Sequence, residues 1–383
     1  MNYFPAFKPY INEDSISNIN NALNDLAISG NFGKSIEEVE SLYSKLHSNY
    51  EAVLCSSGTS ALHLACLALG VNEQSTVVVP ATTNMATFFA PIYCGAKVIP
   101  CDVYQENGLI SFNALDLICR NIKVDYVLPV HLYGHVVDPN ELKKLSSQYN
   151  FRVIEDCAEA HFASWENNQT FVGSEFEAGC FSFYANKIIA CGEGGIVLFK
   201  NKKYGDIAKS YKNLSFGSNS EISKFFHKNI GFNYRLSNLQ ASLLLSSIKR
   251  KDEILEKRKK IAHYYDQFLV NKSYVETLYS QLNSYRVNWV YGIRLHQKIV
   301  NKFSSKKELL KKLHDNGVEV RDYFFPADQQ DFLRNYSQKK GYQYKNCLNA
   351  FKFYSNSFYL PVYEDLTKKD IQTIVDLLDN VLS

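Results

Sequence analysis

Val153-Ile154-Glu155-Asp156-Cys157-Ala158-Glu159-Ala160 is an apolar run that gives way to acidic residues. Residues 152–155 read as a strand of the buried kind, with carboxylates at its C-terminal end. In open parallel sheets, ligands gather at the carboxyl ends of strands. An aspartate placed there could pair with a cationic ring nitrogen. It would serve equally well as a helix cap.

Upstream, short apolar runs alternate with amphipathic stretches. Residues 126–130 read as a strand, and 140–148 as a helix leading to the 152–155 strand. Farther back, 52–55, 77–79 and 97–100 read as strands, with helices over 61–69 and 85–94. This rhythm predicts an α/β fold, a mostly parallel sheet covered by helices on both faces. From about Ser237 the pattern changes. Residues 239–265 read as one long helix, with a solvated charged face from Lys249 to Lys260. Strand-like 287–295 and 318–322 and helices over 306–316 and 368–381 then make a smaller α/β unit. The expected division is a large domain over 1–245 and a small C-terminal domain over 246–383. The chain contains no internal repeat.

A chain of 383 residues suffices for two packed domains with a sizeable core. A net charge of +3 argues against a nucleic-acid-binding surface. No apolar stretch reaches membrane-spanning length, and the first residues lack the basic and apolar regions of a signal peptide. The nine cysteines lie apart, without a C-x-x-C pair, several of them in apolar segments. They are expected to be free thiols in a cytoplasmic protein that binds no metal. His131 and His135 are four apart, a spacing that on a helix could hold zinc. They follow a strand and flank a glycine, so they belong to a loop.

Two further segments carry chemistry. Ser56-Ser57-Gly58-Thr59-Ser60-Ala61 puts a glycine and hydroxyls between a strand and a helix N-terminus, where free N–H groups and the helix dipole suit a phosphate. The segment also fits a plain helix start, with Thr59 or Ser60 as the cap. Phe181-Ser182-Phe183-Tyr184-Ala185-Asn186-Lys187 precedes Gly192-Glu193-Gly194-Gly195 and a strand over 196–199. Alone, that lysine is an ordinary surface residue and the glycines an ordinary turn.

Taken together, a phosphate-type turn, a strand-end aspartate and a lysine 31 positions later form one constellation. It resembles the aspartate-aminotransferase-like enzymes of pyridoxal phosphate (PLP) fold type I, and within them the DegT/StrS family of sugar aminotransferases. The similarity runs from Ile28-Ser29-Gly30-Asn31-Phe32 to Leu360-Pro361. It includes His131-Leu132-Tyr133-Gly134-His135 and Gly231-Phe232-Asn233-Tyr234-Arg235. The resemblance implies that Lys187 holds PLP as a Schiff base and, once displaced by the amino donor, shuttles a proton. It implies Asp156 on the pyridine nitrogen and Glu159 at the ring hydroxyl. Many members carry glutamine at the place of Glu159, and a subset, the perosamine synthases among them, carries glutamate. Gly58, Thr59 and Ser182 would hold the phosphate. Asn233 would reach the phosphate of a neighbouring subunit, making a homodimer with shared active sites. Glutamate would be the donor and a keto-sugar the acceptor, usually nucleotide-linked. The motifs lie nearest the branch that aminates GDP-4-keto-6-deoxymannose at C4 for lipopolysaccharide and O-antigen.

Three places depart from the family pattern. Asn84 stands where an aromatic usually stacks on the PLP ring. Asp328 stands where the substrate loop has a histidine, and Phe176-Glu177 replaces a glycine–aspartate pair. Asn84, Asp328 and Arg321, which matches a family arginine near the substrate, are the expected substrate contacts. Another carbonyl sugar, such as the 8-oxo derivative of the acidic sugar Kdo, is the alternative acceptor. A PLP-dependent sugar dehydratase would carry histidine in place of Lys187. A regulator without activity would not need Asp156, Glu159, Ser182 and Lys187 together.

Overall fold

Val77-Val78-Val79 and Val153-Ile154 put branched side chains on both faces of a pleat, so each strand needs cover on two sides. The computed structural model describes residues 3–31, 33–165, 170–216, 225–227, 229–277 and 284–382. Phe32, part of the first family motif, lies outside them. The first strands are β1 (Glu51–Cys55), β2 (Thr76–Pro80), β3 (Lys97–Cys101), β4 (Tyr126–Val127), β5 (Arg152–Asp156), β6 (Ser164–Trp165), β7 (Ala178–Ser182) and β8 (Gly195–Phe199). Seven of them form one sheet in the order β1-β8-β7-β5-β4-β2-β3. From β7 to β3 every pairing is parallel, and β8 runs antiparallel to both β1 and β7. Successive side chains go to opposite cores, Leu54, Val78 and Val153 to one and Val53, Val77 and Ile154 to the other. Because β1, β5 and β7 point the same way, their C-terminal ends share one edge of the sheet. That edge receives Gly58, Asp156 and Ser182.

The later strands are β9 (Val275–Thr277), β10 (Ser284–Tyr285), β11 (Tyr291–Leu295), β12 (Arg321–Asp322) and β13 (Ser357–Leu360). Four of them make an antiparallel sheet ordered β12-β13-β11-β9, while β10 pairs with β6. Helices Lys251–Leu269 and Lys368–Leu382 pack on each other, and Tyr265, Ile293, Phe358 and Ile374 share a third core. Phe4 joins that core and bridges to Val318, so the chain's first described residues pack against its last third.

The elements depart from the sequence reading in a few places. The strand expected over 126–130 is regular only at Tyr126–Val127. Pro129 has no N–H to give a neighbour, although its carbonyl still accepts from Asp156 N at 2.9 Å. The long helix over 239–265 is two, Asn238–Lys249 and Lys251–Leu269, separated at Arg250, whose guanidinium is held by Glu253 and Glu364. The helix expected over 61–69 is Gly58–Leu69, and its cap is Ser57, not Thr59 or Ser60. Ser57 alone has the extended backbone a cap requires, φ −166° and ψ 165°, and its hydroxyl accepts from Ser60 N. All nine cysteines are free. Among the described residues, no helix is long and apolar enough to cross a membrane.

Three buried histidines predict acid sensitivity. Burial pulls His47 down to about 4 and His135 and His161 down to about 3. Their ordinary value in an unfolded chain is about 6.5, so below that pH the unfolded state binds protons that the folded state refuses. The stability they contribute is complete above about pH 6.5 and is lost as pH falls toward their folded values. Denaturant midpoints should hold from pH 8 to 7 and drop between pH 6.5 and 4, with a slope near three protons' worth. A flat profile there would remove these residues from the account.

Candidate active site

Asp156 ends β5 and is buried. Its Oδ2 lies 2.7 Å from Thr87 Oγ1, and its Oδ1 accepts from Ala158 N at 3.1 Å. Burial raises its proton affinity, while the Thr87 and Ala158 hydrogen bonds and the charge of Lys187 oppose that rise. A carboxylate this deep is held by two neutral donors, and among the described residues no ion pair reaches it. Thr87 stands on the helix Ala86–Tyr93, and Asn84 Oδ1 starts that helix by accepting from Ala86 N at 3.0 Å.

One turn beyond Asp156, Glu159 accepts from Tyr133 N at 2.9 Å through Oε2 and lies 3.6 Å from Lys187 Nζ through Oε1. Tyr133 has φ +53° and Gly134 φ +85°, a left-handed pair that aims the Tyr133 N–H at the carboxylate. A Cβ on Gly134 would sit 1.8 Å from the Val287 carbonyl oxygen, so only glycine fits there. Burial pushes Glu159 up to about 7 and pulls Lys187 down, which brings their proton affinities toward each other. Lys187 Nζ also lies 4.0 Å from the centre of the Trp289 ring.

The helix Gly58–Leu69 abuts the end of β7, and a Cβ on Gly58 would come 2.8 Å from Ser182 Cβ. Its first-turn N–H groups have no acceptor within the helix. They open beside the Ser182 hydroxyl. Behind that serine, His161 Nε2 donates to the Ser182 carbonyl at 2.8 Å, and Tyr43 Oη donates to His161 Nδ1 at 3.1 Å. A cavity of about 280 Å³ gathers these groups. Gly58, Thr59 and Ser182 line it, as do Asp156, Glu159 and Lys187, with Asn84 at the wall beside them. Thr83, Trp289 and Tyr359, which sequence reading passed over, line it too.

Three expected residues lie elsewhere. Asn233 is exposed and bridges to Asn213. Arg321 is exposed on β12 and pairs with Glu319 at 2.5 Å. Asp328 is buried, and its Oδ2 accepts from Cys347 N at 2.9 Å and Gln329 Nε2 at 2.8 Å, so it anchors its own loop. Glu177, another departure, likewise accepts from Val153 N at 2.9 Å. Of the departures, Asn84 is the one that lines the cavity.

His131, Glu155 and Cys157 approach one another closely enough to suggest a metal site. Their hydrogen bonds argue otherwise. Val137 N donates to His131 Nδ1 at 3.2 Å, so the ring proton sits on Nε2 and goes to Glu155 Oε1 at 3.2 Å. Glu155 also accepts from Gly173 N and Glu175 N, and burial keeps the Cys157 thiol protonated. That trio braces the loop carrying Tyr133.

Residues 9–379 match the DegT/DnrJ/EryC1/StrS aminotransferase family. The chain is 30% identical to GDP-perosamine synthase of Escherichia coli O157:H7, over 88% of this chain and 89% of that one. It is 30% identical to GDP-perosamine synthase of Caulobacter vibrioides, over 91% of each. It is 28% identical to UDP-4-amino-4,6-dideoxy-N-acetyl-beta-L-altrosamine transaminase of Campylobacter jejuni, over 97% of this chain and 96% of that one. In fold it resembles Helicobacter pylori PseC, an aminotransferase involved in the biosynthesis of pseudoaminic acid. There the TM-score is 0.89 at 23% identity, over 99% of each chain.

Proposed function

The chain belongs to the DegT/DnrJ/EryC1/StrS aminotransferase family, and we propose that it moves an amino group from glutamate to a keto-sugar with pyridoxal phosphate as cofactor. The observation that carries this reading is the Lys187 amine, on a side chain 11% exposed, 3.6 Å from Glu159 in a cavity it shares with Asp156 and the N-terminus of the helix Gly58–Leu69. The residues fit the cofactor's chemistry. The close approach of Gly58 to Ser182 leaves a cradle that a Cβ would fill, and among the described residues the buried Asp156 has neutral hydrogen-bond donors and no ion pair.

When bound, pyridoxal phosphate supplies a carbonyl that carries the nitrogen and a ring that withdraws electrons. The N–H groups of Gly58 and Thr59 and the Ser182 hydroxyl would hold its phosphate. Asp156 would hold a proton on the ring nitrogen, and Glu159 would face the ring hydroxyl. Lys187 would take the proton from the donor carbon at Nζ and return it to the carbon on the other side of the transferred nitrogen. Trp289, 5% exposed, walls one side of the cavity where that exchange would take place.

For the acceptor we propose a nucleotide-linked 4-keto-6-deoxyhexose such as GDP-4-keto-6-deoxymannose, supported by the likeness to two GDP-perosamine synthases. Asp328 and Glu177 hold backbone amides away from the cavity wall, which leaves Asn84 as the departure bearing on another carbonyl sugar. Purified enzyme with glutamate should aminate GDP-4-keto-6-deoxymannose and leave an oxidised Kdo untouched, as read by mass spectrometry of the product. Amination of Kdo alone would overturn the acceptor and leave aminotransfer standing.

The exposure of Asn233, away from the cavity of its own chain, supports its service to a second copy in a homodimer. Mixed Lys187→Ala and Asn233→Ala subunits should then regain about one intact site per mixed dimer. An absence of complementation would make each site self-contained. The free cysteines support a reducing compartment, the cytoplasm.

A further inference from the structure

Lys187 Nζ sits 4.0 Å from the centre of the Trp289 ring, and Trp289 Nε1 donates to the Asn186 carbonyl at 2.7 Å. One indole therefore faces the amine and is tied to the peptide from which that amine departs. The indole is itself held on several sides. Its backbone carbonyl accepts from Arg258 Nη1 at 3.0 Å, and Val287 N, two residues before it, donates to the Gly134 carbonyl at 3.1 Å. Tyr133 stacks on it with ring centres 6.1 Å apart at 13°. Trp289 is only 5% exposed, and it lines the cavity.

The charged and titratable groups around the amine come from several elements. Glu159 lies at 3.6 Å, and the charge of Asp156 acts from farther away. His161 is buried and neutral, and burial keeps the Tyr323 and Tyr359 phenols protonated. Burial favours the neutral amine. An aromatic face attracts the ammonium but gives the neutral amine no such attraction. The ring and Glu159 thus work against burial at the same nitrogen.

We propose that Trp289 is a positioning residue of this site: its ring face stabilises the ammonium form of Lys187 whenever that amine is free, and its N–H fixes the Asn186 peptide. The proposal rests on reading Lys187 as the reactive amine. A lysine buried without such a face would be a weaker base and would compete poorly for the donor's proton. With it, the freed amine keeps enough proton affinity to take that proton.

The test uses the full chain freed of cofactor, so its outcome does not depend on aminotransfer. Acetylation of Lys187 by acetic anhydride is followed against pH by mass spectrometry in wild type, Trp289→Phe and Trp289→Leu. The Trp289→Leu midpoint should fall by about 0.5–1 pH unit, with Trp289→Phe between it and wild type. An unmoved midpoint in a Trp289→Leu protein with native circular dichroism overturns the proposal. A second measurement covers a Trp289→Leu chain that fails to fold. Trp165 and Trp289 are the chain's two tryptophans. In Trp165→Phe protein, emission from Trp289 should titrate with the Lys187 midpoint, and Lys187→Met should abolish that titration. Emission indifferent to Lys187 overturns the proposal as well. Borohydride reduction of the cofactor-loaded chain separates the two readings. Cofactor fixed to Lys187 alongside an unmoved midpoint sinks the Trp289 role alone, whereas fixation at another lysine sinks the reading beneath it.

Discussion

Lys187→Ala should lose turnover by about 10⁴-fold or more while keeping its fold. The amine is proposed to act twice, holding the cofactor and moving a proton, so no neighbour replaces it at the same distance. Glu159 lies 3.6 Å from that amine, but burial has already raised it to about 7, and its Oε2 is engaged by Tyr133 N. Loss of the lysine charge removes an influence that holds Glu159 down, so its proton affinity rises further and it becomes a neutral acid. That response also protects the fold. A lone buried carboxylate would cost several kcal/mol, whereas a protonated one costs much less. The variant should therefore melt close to wild type and still take up cofactor noncovalently, through the Gly58–Ser182 cradle and Asp156. Wild-type kcat in Lys187→Ala, or cofactor that borohydride still fixes to the chain, would end the reading of Lys187.

Much of the site was legible because local chemistry determined it. Val77–Val79 and Val153–Ile154 have few alternatives to a buried strand, and the observed strands exceed them by a residue or so at each end. The segments from Ser56, Val153 and Phe181 meet because their strands run the same way in one sheet. What stayed hidden was set by distant partners. Trp289 reaches Lys187 through a hydrogen bond to Asn186, 103 positions away in the chain, and no periodicity in 287–295 announces it. Asp328 was an expected substrate contact, yet its carboxylate meets Cys347 N, an amide that local sequence does not place beside it. Thr59 and Ser60 were the expected caps, but Ser57 offers the same hydroxyl, and backbone angles gave it the role. The left-handed Tyr133 had a weak signal in the glycine that follows it. The separation of helices at Arg250 had none, because Glu364, which holds that guanidinium, lies 114 positions on.

Asp156→Asn should lower kcat by about 10²-fold or more with little change in stability, since several kcal/mol of charge stabilisation in the transition state are at stake. The replacement is nearly isosteric, so it isolates charge from shape. An asparagine Oδ1 can still accept from Ala158 N, as Asp156 does at 3.1 Å. Its Nδ2 can donate to Thr87 Oγ1, which now stands 2.7 Å from the carboxylate. Both hydrogen bonds therefore survive, the one to Thr87 with its direction reversed, and only the negative charge is lost. The two readings of this residue then diverge. As a cap, asparagine works as well as aspartate, and kinetics would be unchanged. As the partner of a cationic ring nitrogen, asparagine cannot hold the proton there, and electron withdrawal weakens. Stability adds a second discriminator. Burial already works against the Asp156 carboxylate, so removing its charge from the cofactor-free chain should leave the melting temperature unchanged or slightly higher. Loss of kcat together with loss of fold would point to a structural aspartate. Loss of kcat in a chain that melts like wild type, in the half-reaction with glutamate alone as well as in full turnover, assigns the effect to the charge.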